Sequence, residues 1–275
     1  MKNIIVGTDF SLGSEKALSF GVMLANNTKA DLTLLWVDDS PSELATFEYQ
    51  EVRKEGQEEI DELVKKYEPL LKTGKKINTK IRKGRTYREL TDFAEQTPDS
   101  VLVMGTHGVT GFQKYWIGTN AFRVIATANV PVITVRASHN TEKKIKRIIL
   151  PIDHTSVTLN KVEKASQLAA MLGADICLLS INESGLRSVQ KFVDVNLNKA
   201  ANTLAKKDIS HIIEHVNSPN IGKAIIEHIN SLQADLLIVA VELQEKTRNG
   251  MPSALMQQLI NFSPVPVLSI HPNIE

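Results

Sequence analysis

The fold of this chain is decided by residues 2–9, which read KNIIVGTD and recur in altered form as KRIILPID at residues 146–153. Three further pairs of segments repeat in the same order: ADLTLLWVDD at 30–39 with ADICLLSINE at 174–183, VLVM at 101–104 with LLIV at 236–239, and VPVITV at 130–135 with VPVLSI at 265–270. The offset is 144 residues for the earlier pairs and 135 for the later ones, so the second copy is nine residues shorter. The chain therefore contains two related copies, and we expect the shortening between the second and fourth strands.

Within each copy, short apolar runs alternate with segments of helical period, which predicts βα units and a parallel sheet. In the first copy we predict strands over 3–8, 31–37, 76–82, 101–105 and 131–136, and helices over 12–27, 43–71, 86–97 and 118–128. In the second copy the strands are predicted over 146–152, 175–181, 209–216, 236–240 and 266–270. Right-handed crossovers would make each copy an open, twisted, five-stranded sheet with helices on both faces, an α/β fold of the Rossmann-like class.

The joint between the copies is residues 136–144, a polar stretch without hydrophobic periodicity. We therefore predict one domain over residues 1–137 and a second over residues 145–275. Each is of ordinary domain size and could bury a core of its own. Because the joint is short, we expect the two domains to pack together instead of moving freely.

Composition excludes several classes of function. Lys and Arg number 32 against 31 Asp and Glu, so the chain has no overall positive charge to hold nucleic acid or an anionic membrane. No run approaches the roughly 18 apolar residues of a membrane helix, and the apolar start of the chain is too short for a signal peptide. We expect a cytoplasmic protein. The one cysteine, Cys177, lies in an apolar run and is predicted to be a buried, unreactive thiol.

The segment that carries chemistry follows the fourth predicted strand and reads GTHGVTGFQKYWIGTN over residues 105–120. In open α/β sheets, ligands bind beyond the carboxyl ends of the strands, where this segment lies. Glycine permits positive φ and a close approach to a ligand, so backbone N–H groups can converge on phosphate oxygens. Gly118 and Thr119 then open a helix whose unpaired N–H groups and dipole favour an anion. The segment is predicted to hold phosphate, although the chain has no Walker A loop and no G-x-G-x-x-G fingerprint.

The spacing G-x2-G-x9-G-[S/T] is formed by Gly105, Gly108 and Gly118, followed by Thr119. In this the chain resembles the universal stress protein family, whose ATP-binding members carry that motif at this location. TDFS at residues 8–11 and LLWVD at residues 34–38 also look like the family's. The resemblance covers nearly the whole chain, as two copies of the domain. It implies an adenine nucleotide α-hydrolase-like fold, with ATP as the ligand of the first domain.

The resemblance also implies roles for single residues. Asp9, after Thr8, matches the family's acid near the nucleotide, and Val37 matches the position whose backbone recognises adenine. The start of the loop and the start of the phosphate-binding helix match at Met104, Gly105, His107, Gly108, Gly118, Thr119 and Asn120. Mg²⁺ bridging the phosphate oxygens is expected, because hard divalent cations usually accompany ATP. No residue is predicted to be catalytic.

The second copy lacks the loop residues at the equivalent positions. With the offset of 135, the positions of the three motif glycines, His107 and Thr119 are occupied by Ala240, Glu242, Leu243, Ser253 and Ala254. Larger side chains would fill the space where phosphates must contact the backbone, and the glutamate carboxylate would repel them. The second domain is therefore predicted not to bind ATP as the first does.

Other polar residues of the second copy allow a chemical interpretation beside a structural one. Asp153 lies opposite Asp9 in the repeat, where it could take part in chemistry or simply end the strand and cap the next helix. His211 and His215 lie on one face of a predicted strand, and with His228 they would bind zinc only if another residue completed the shell. A solvated strand face is the simpler interpretation.

Three functions are compatible with the sequence. The first is a stress-response or regulatory protein that binds ATP with little or no turnover, because the loop offers no evident water-activating base. The second is an enzyme, such as a slow ATPase, an ATP pyrophosphatase or an adenylyl transferase. The last two would be expected to carry a Ser-Gly-Gly loop where this chain has TDFSLG at residues 8–13. The third is a scaffold that binds another small ligand, a metal or a protein through the second copy.

The repeat also suggests how the chain assembles. In the family that it resembles, the last strand commonly mediates pairing between domains, so the strands near 131–136 and 266–270 are expected to pair within the chain. One chain would then resemble the usual dimer. A homodimer of the whole chain stays open, and adenine nucleotide is the one small-molecule partner that the sequence predicts.

Overall fold

A computed structural model of the chain describes residues 1–41, 46–106, 117–141, 143–182, 186–241 and 253–271. The chain divides into two compact units, Met1–Glu142 and Lys143–Glu275. The division falls inside the polar joint that separates the predicted domains. Within each unit the described strands form a five-stranded sheet in which every pairing is parallel. The predicted α/β fold class is confirmed.

The first unit alternates strands and helices in its described residues. In chain order they are β1 (Asn3–Thr8), α1 (Leu12–Thr28), β2 (Asp31–Asp38), α2 (Thr46–Tyr67) with a short 3₁₀ helix (Glu68–Leu70), β3 (Ile77–Lys83), α3 (Thr86–Glu95), β4 (Ser100–Gly105), α4 (Thr119–Thr127) and β5 (Val132–Val135). The sheet order is β3-β2-β1-β4-β5, so the direction of strand addition reverses between β1 and β4. Ligands in such sheets bind in the crevice at the carboxyl ends of the strands next to this reversal.

The core of the first unit explains why its strands read as continuous apolar runs. Ile4, Ile5 and Val6 of β1 are fully buried, because helices cover both faces of the sheet. The first helix begins where the hydroxyl of Ser11 accepts a hydrogen bond from the backbone N–H of Ser14, at 3.2 Å. The sequence therefore sets both the buried strand and the helix start that follows it.

The second unit repeats the same plan. In chain order its described elements are β6 (Arg147–Ile152), a 3₁₀ helix (Val157–Leu159), α5 (Asn160–Leu172), β7 (Asp175–Ile181), α6 (Arg187–Ala205), β8 (His211–Val216), α7 (Ile221–Ser231), β9 (Leu236–Ala240), α8 (Ala254–Phe262) and β10 (Val267–Ile270). The sheet order, β8-β7-β6-β9-β10, is that of the first unit. The shortening of the copy lies where it was expected: 38 residues separate β2 from β3, but only 29 separate β7 from β8.

The structure corrects several predicted boundaries. The predicted strands 131–136 and 266–270 begin one residue later, after Pro131 and Pro266, which have no N–H to give to a ladder. The predicted strand 209–216 begins at His211, since Ile209 still completes the turn that ends α6. The predicted helix 43–71 is observed as α2 and the 3₁₀ helix after it, and residues 42–45 lie outside the described ranges.

The polar joint is fastened to the first unit. Thr141 is buried, and its hydroxyl lies 2.6 Å from that of Ser19 on α1. The ring of His139 meets Phe20 edge to face, with 6.1 Å between ring centroids. Residues 136–141 therefore pack on α1 instead of forming a free linker. None of the described helices is long and apolar enough to cross a membrane.

Cys177 on β7 has no exposed surface, and burial raises the pKa of its thiol to about 11. Because the thiolate is the reactive form, we expect this cysteine to react with an aromatic disulfide reagent at pH 8 at least about 100-fold more slowly in the folded protein than in 6 M guanidinium chloride. Stopped-flow absorbance measures both rates. Rapid stoichiometric labelling of the folded chain would contradict the buried, unreactive thiol.

Candidate functional site

A cavity of about 500 Å³ opens at the carboxyl ends of β1, β2 and β4 in the first unit. Its volume is in the range of pockets that hold small molecules. The predicted site residues that line it are Thr8, Asp9, Val37, Met104, Gly105, Gly118, Thr119 and Asn120. The two remaining predicted residues, His107 and Gly108, lie outside the described residues. The fold thus brings residues from three strand ends and one helix start to a single cavity.

Sequence reasoning missed part of the cavity wall. The additional lining residues are Gly7, Ser14, Trp36, Asp39, Thr86, Leu90, Thr106 and Ala121. Thr86 and Leu90 belong to the first two turns of α3, which closes the cavity beside β2. The predicted start of a helix at residue 86 is the signal that could have found them, because that helix also begins at the carboxyl edge of the sheet.

The turn after β1 holds Asp9 in a fixed orientation. Its Oδ1 accepts hydrogen bonds from the Ser11 backbone N–H at 3.1 Å and from the Ser11 hydroxyl at 2.6 Å. Phe10 between them has φ +61°, in the left-handed region, and its N–H donates to the Thr8 hydroxyl at 3.1 Å. The second carboxylate oxygen of Asp9, Oδ2, meets no hydrogen-bonding group in the described ranges. One oxygen is therefore used to hold the turn, and the other is free at the cavity wall.

Gly105 is required by packing. A Cβ at this position would lie 2.6 Å from the carbonyl carbon of Gly13 and 2.9 Å from the Ser14 nitrogen, both in the backbone of α1. The prediction that the loop glycines provide positive φ is wrong for the two that are described. Gly105 is not among the positive-φ glycines, and Gly118 has φ −61° and ψ 149°. The absence of a side chain, and not an unusual backbone conformation, is what these positions provide.

The start of α4 presents unpaired backbone donors to the cavity. Gly118 is the N-cap residue, and its own N–H donates to the Thr106 carbonyl at 2.7 Å. In the described ranges, the N–H groups of Thr119, Asn120 and Ala121 meet no protein acceptor, and no side chain caps the helix. The first turn contains no acidic residue. Free N–H groups and the positive end of the helix dipole make this helix start suited to an anion.

The end of β2 offers backbone at the opposite end of the cavity. Pairing of β2 with β1 stops at Trp36, whereas pairing with β3 continues through Val37 to Asp38. The edge of Val37 that faces β1 therefore has no strand partner. Next to it, the Thr86 hydroxyl donates to Asp39 at 3.1 Å. An unpaired strand edge beside apolar side chains can hold a planar ring that carries hydrogen-bonding groups.

Asp38 anchors the residues after β2. It is buried, its Oδ2 lies 3.2 Å from Lys83 Nζ, and its Oδ1 accepts the Ser40 N–H at 2.9 Å. Burial alone would raise the pKa of Asp38, but hydrogen bonds from Ser40 and the Lys83 ammonium outweigh burial and lower it. Lys83 also donates to the Ser40 carbonyl at 2.8 Å. The chain leaving β2 is thereby held against β3.

Comparison with known proteins identifies the first unit. The model of the universal stress protein family matches residues 1–136. The universal stress protein MJ0531 of Methanocaldococcus jannaschii is 32% identical over an alignment of 142 positions that covers 49% of this chain and 82% of that protein. The chain belongs to the universal stress protein family.

Two further comparisons extend the result. The universal stress protein YxiE of Bacillus subtilis is 26% identical over an alignment of 147 positions, which covers 48% of this chain and 97% of YxiE. The crystal structure of a universal stress protein from Archaeoglobus fulgidus aligns with a TM-score of 0.77 over 98% of both chains, at 18% identity. At that identity the similarity shows the fold alone, and the fold it shows extends over both units of this universal stress protein.

The second unit keeps the turn after its first strand. Asp153 Oδ1 accepts hydrogen bonds from the Thr155 N–H at 2.8 Å and from the Thr155 hydroxyl at 2.6 Å, as Asp9 does from Ser11. The side-chain amide of Asn196 donates to the carbonyls of both Asp153 and Thr155, at 3.0 Å each. These contacts favour the structural interpretation of Asp153, as a residue that ends a strand and holds the next turn.

The helix starts of the second unit differ from those of the first. Ala240 stands at the position of Gly105. After β6, a 3₁₀ helix (Val157–Leu159) takes the place of the first turn of α1, so α5 begins only at Asn160. Both changes lie at positions that correspond to the contact between Gly105 and the start of α1. At α8, the Ser253 hydroxyl accepts the Met256 N–H at 3.3 Å. The helix that corresponds to α4 is therefore capped by its own side chain.

The remaining predictions for the second unit concern the residues after β9 and the histidines considered for zinc. Glu242 and Leu243 lie outside the described residues. Two of the histidines considered for zinc meet backbone carbonyls: His211 Nδ1 lies 3.0 Å from Ile209 O, and His228 Nδ1 lies 2.9 Å from Ala224 O. Within the described ranges, no group of three or more His, Cys, Asp or Glu side chains could hold a metal ion.

We predict that Gly105→Ala destabilises the protein by about 1–3 kcal/mol, since its methyl group would overlap the backbone of α1. The matched variant in the second unit, Ala240→Gly, should cost only about 0.5–1 kcal/mol through chain entropy. Urea unfolding followed by circular dichroism compares the two. Equal losses would show that the contact of Gly105 with α1 is not what requires glycine there.

A pH prediction follows from Asp38. Its pKa is lowered from the ordinary 3.8, so the charged carboxylate stabilises the folded state above that pH, and this contribution is lost as the pH falls through the folded-state pKa. Asp38→Asn should therefore cost roughly 1–3 kcal/mol at pH 7. Urea unfolding at pH 7, 5 and 3 should show the difference from the wild type shrinking at pH 3. A pH-independent difference would exclude the charge as its cause.

Proposed function

We propose that this universal stress protein binds ATP, together with Mg²⁺, in the cavity of the first unit, and acts as a stress-response or regulatory nucleotide-binding protein in the cytoplasm. The observation that carries the proposal is the uncapped start of α4 at the cavity wall. Three backbone N–H groups there have no acceptor in the described ranges, and no acidic residue opposes an anion. These are the donors that a phosphate chain requires.

The two ends of the cavity fit the two ends of the nucleotide. The phosphates would lie at Gly118, Thr119 and Asn120, where the glycine leaves room beside the helix start. The adenine ring would lie at the end of β2, where the unpaired edge of Val37 provides backbone hydrogen-bonding groups. Asp9 also lines the cavity, and its Oδ2, which meets no hydrogen-bonding group in the described ranges, suits a ribose hydroxyl or the hydration shell of Mg²⁺.

We propose little or no turnover of the bound ATP. The carboxylates that line the described cavity are Asp9 and Asp39, and each accepts a hydrogen bond from a neighbouring hydroxyl. Hydrolysis requires a group that orients and deprotonates water in line with the terminal phosphate. Among the described residues, neither carboxylate is paired with a second titratable group that would adapt it to this task.

The second unit would contribute in another way. The Ser253 hydroxyl occupies a helix N–H that the phosphates would need, and Ala240 adds a methyl group at the strand end. We propose that this unit binds no ATP and is available for another ligand or a protein. One nucleotide per chain is therefore expected.

The test is calorimetry of the purified full chain with Mg-ATP. The wild type should bind one ATP per chain, and Gly118→Leu should weaken binding at least about tenfold, because the leucine side chain would occupy the phosphate position. The backbone at Gly118 has φ −61°, which any residue adopts, so the variant should fold. The matched variant Ser253→Leu in the second unit should bind ATP as the wild type does.

Three results would reject the proposal: no binding of ATP by the wild type, two ATP molecules per chain, or unchanged affinity in Gly118→Leu. Release of phosphate or pyrophosphate should be followed in the same samples. Rapid release of either, at several turnovers per minute, would favour the enzyme alternative over a binding protein.

A further inference from the structure

Two arginines contact Tyr87, which follows the cavity residue Thr86 in the first turn of α3. The Nε of Arg88 donates to the Tyr87 hydroxyl at 3.1 Å, and the Arg88 guanidinium lies 5.8 Å from the ring centroid. Arg123 of α4 places its guanidinium 5.2 Å from the same centroid. The hydrogen bond from Arg88, with Arg85 and Arg123 nearby, lowers the pKa of Tyr87. The guanidinium groups of Arg88 and Arg123 thus lie at one phenol ring.

These charges have no acidic partner among the residues that the structure describes. In the part of the chain that the structure describes, none of the three arginines Arg85, Arg88 and Arg123 forms an ion pair with a carboxylate. The two guanidinium groups at one ring repel each other, and their cation–π contacts offset only part of that repulsion. An arrangement of this kind gains most from an anion with several oxygens, since guanidinium groups bind phosphate with paired hydrogen bonds.

The cluster adjoins the cavity on two elements. Tyr87 directly follows Thr86, whose side chain contributes to the cavity wall at the start of α3. Arg123 lies three residues after Asn120 on α4, so both are on one face of that helix, about one turn apart. The backbone of Arg123 therefore lies about one helical turn, roughly 5 Å along the axis, from the start of α4, where the phosphates of a ligand would lie.

We propose that Arg88 and Arg123, which both contact the ring of Tyr87, form a second anion subsite, which takes a further phosphate group of the nucleotide in the cavity. The inference rests on the proposed function, and it specifies the ligand class as adenine nucleotides with one phosphate more than the cavity itself holds. The extra phosphate either lengthens the 5′ phosphate chain or is attached at a second position of the ribose. Its chemistry is the same in both cases.

The experiment compares matched nucleotides on the full chain by calorimetry at fixed ionic strength. Adenosine 5′-tetraphosphate is compared with ATP, and adenosine 3′,5′-bisphosphate is compared with AMP. We expect the wild type to gain at least about tenfold in affinity from the added phosphate in one of the two pairs, as suits a phosphate held by two guanidinium groups. The pair that shows the gain identifies the position of the extra phosphate.

The variants Arg88→Gln and Arg123→Gln, singly and combined, should remove that gain while leaving the affinity for the parent nucleotide within about threefold. Arg53→Gln is the matched control. Arg53 also donates to a tyrosine hydroxyl, that of Tyr49 at 3.1 Å, and lies over its ring at 5.7 Å, but on α2. The substituted residues Arg53, Arg88 and Arg123 are all exposed, so the variants should fold. Thermal unfolding of each variant checks this.

Each outcome decides the inference. A gain that is lost in the Arg88 and Arg123 variants but kept in Arg53→Gln supports the subsite. Normal binding of ATP without a gain in either pair overturns the subsite and leaves the proposed function intact. A gain that falls equally in Arg53→Gln overturns it as well, because the effect would then be one of overall charge. Absence of all nucleotide binding rejects both proposals together.

Discussion

The site of the first unit depends on one close contact, between the end of β4 at Gly105 and the backbone of α1 at Gly13 and Ser14. A Cβ on Gly105 would lie within 3 Å of that backbone, so the strand end and the helix start can approach only without a side chain. This approach places Ser14 and the turn at Asp9 in the same wall as the strand end. The cavity is the space that remains beyond the contact, between β1, β2 and the start of α4.

The two units show how little has to change to alter a site on a constant fold. Strand order, parallel pairing and the aspartate-centred turn after the first strand are the same in both. The differences are concentrated at helix starts. In one unit α4 begins at a glycine and leaves its first N–H groups without protein acceptors among the described residues, whereas in the other Ser253 caps α8 with its own hydroxyl. A capped helix gains stability and loses an anion site, because the same donors serve both purposes.

Charge is distributed unevenly in the first unit although the whole chain is nearly neutral. Asp38 and Lys83 compensate each other beside β2, and they hold the chain where it leaves that strand. At Tyr87 the guanidinium groups of Arg88 and Arg123 are left without a carboxylate in the described residues. Paired charges of the first kind maintain a shape. Unbalanced charges at the edge of a cavity concentrate a positive potential there, which is why we assign them to a ligand and not to stability.

The sequence by itself determined the two copies, the parallel sheets and half of the residues that line the cavity. Strand runs such as residues 3–8 are buried on both faces, and a glycine-lined segment at a strand end has few alternatives. Only the tertiary structure decided what the glycines are for, since the contact of Gly105 with α1 joins residues about 90 positions apart. It likewise decided that Thr86 and Leu90 belong to the wall, and that Arg88 and Arg123 share one tyrosine ring. Periodicity reports which face of an element is buried, whereas the neighbour across that face is set by the packing of the whole domain.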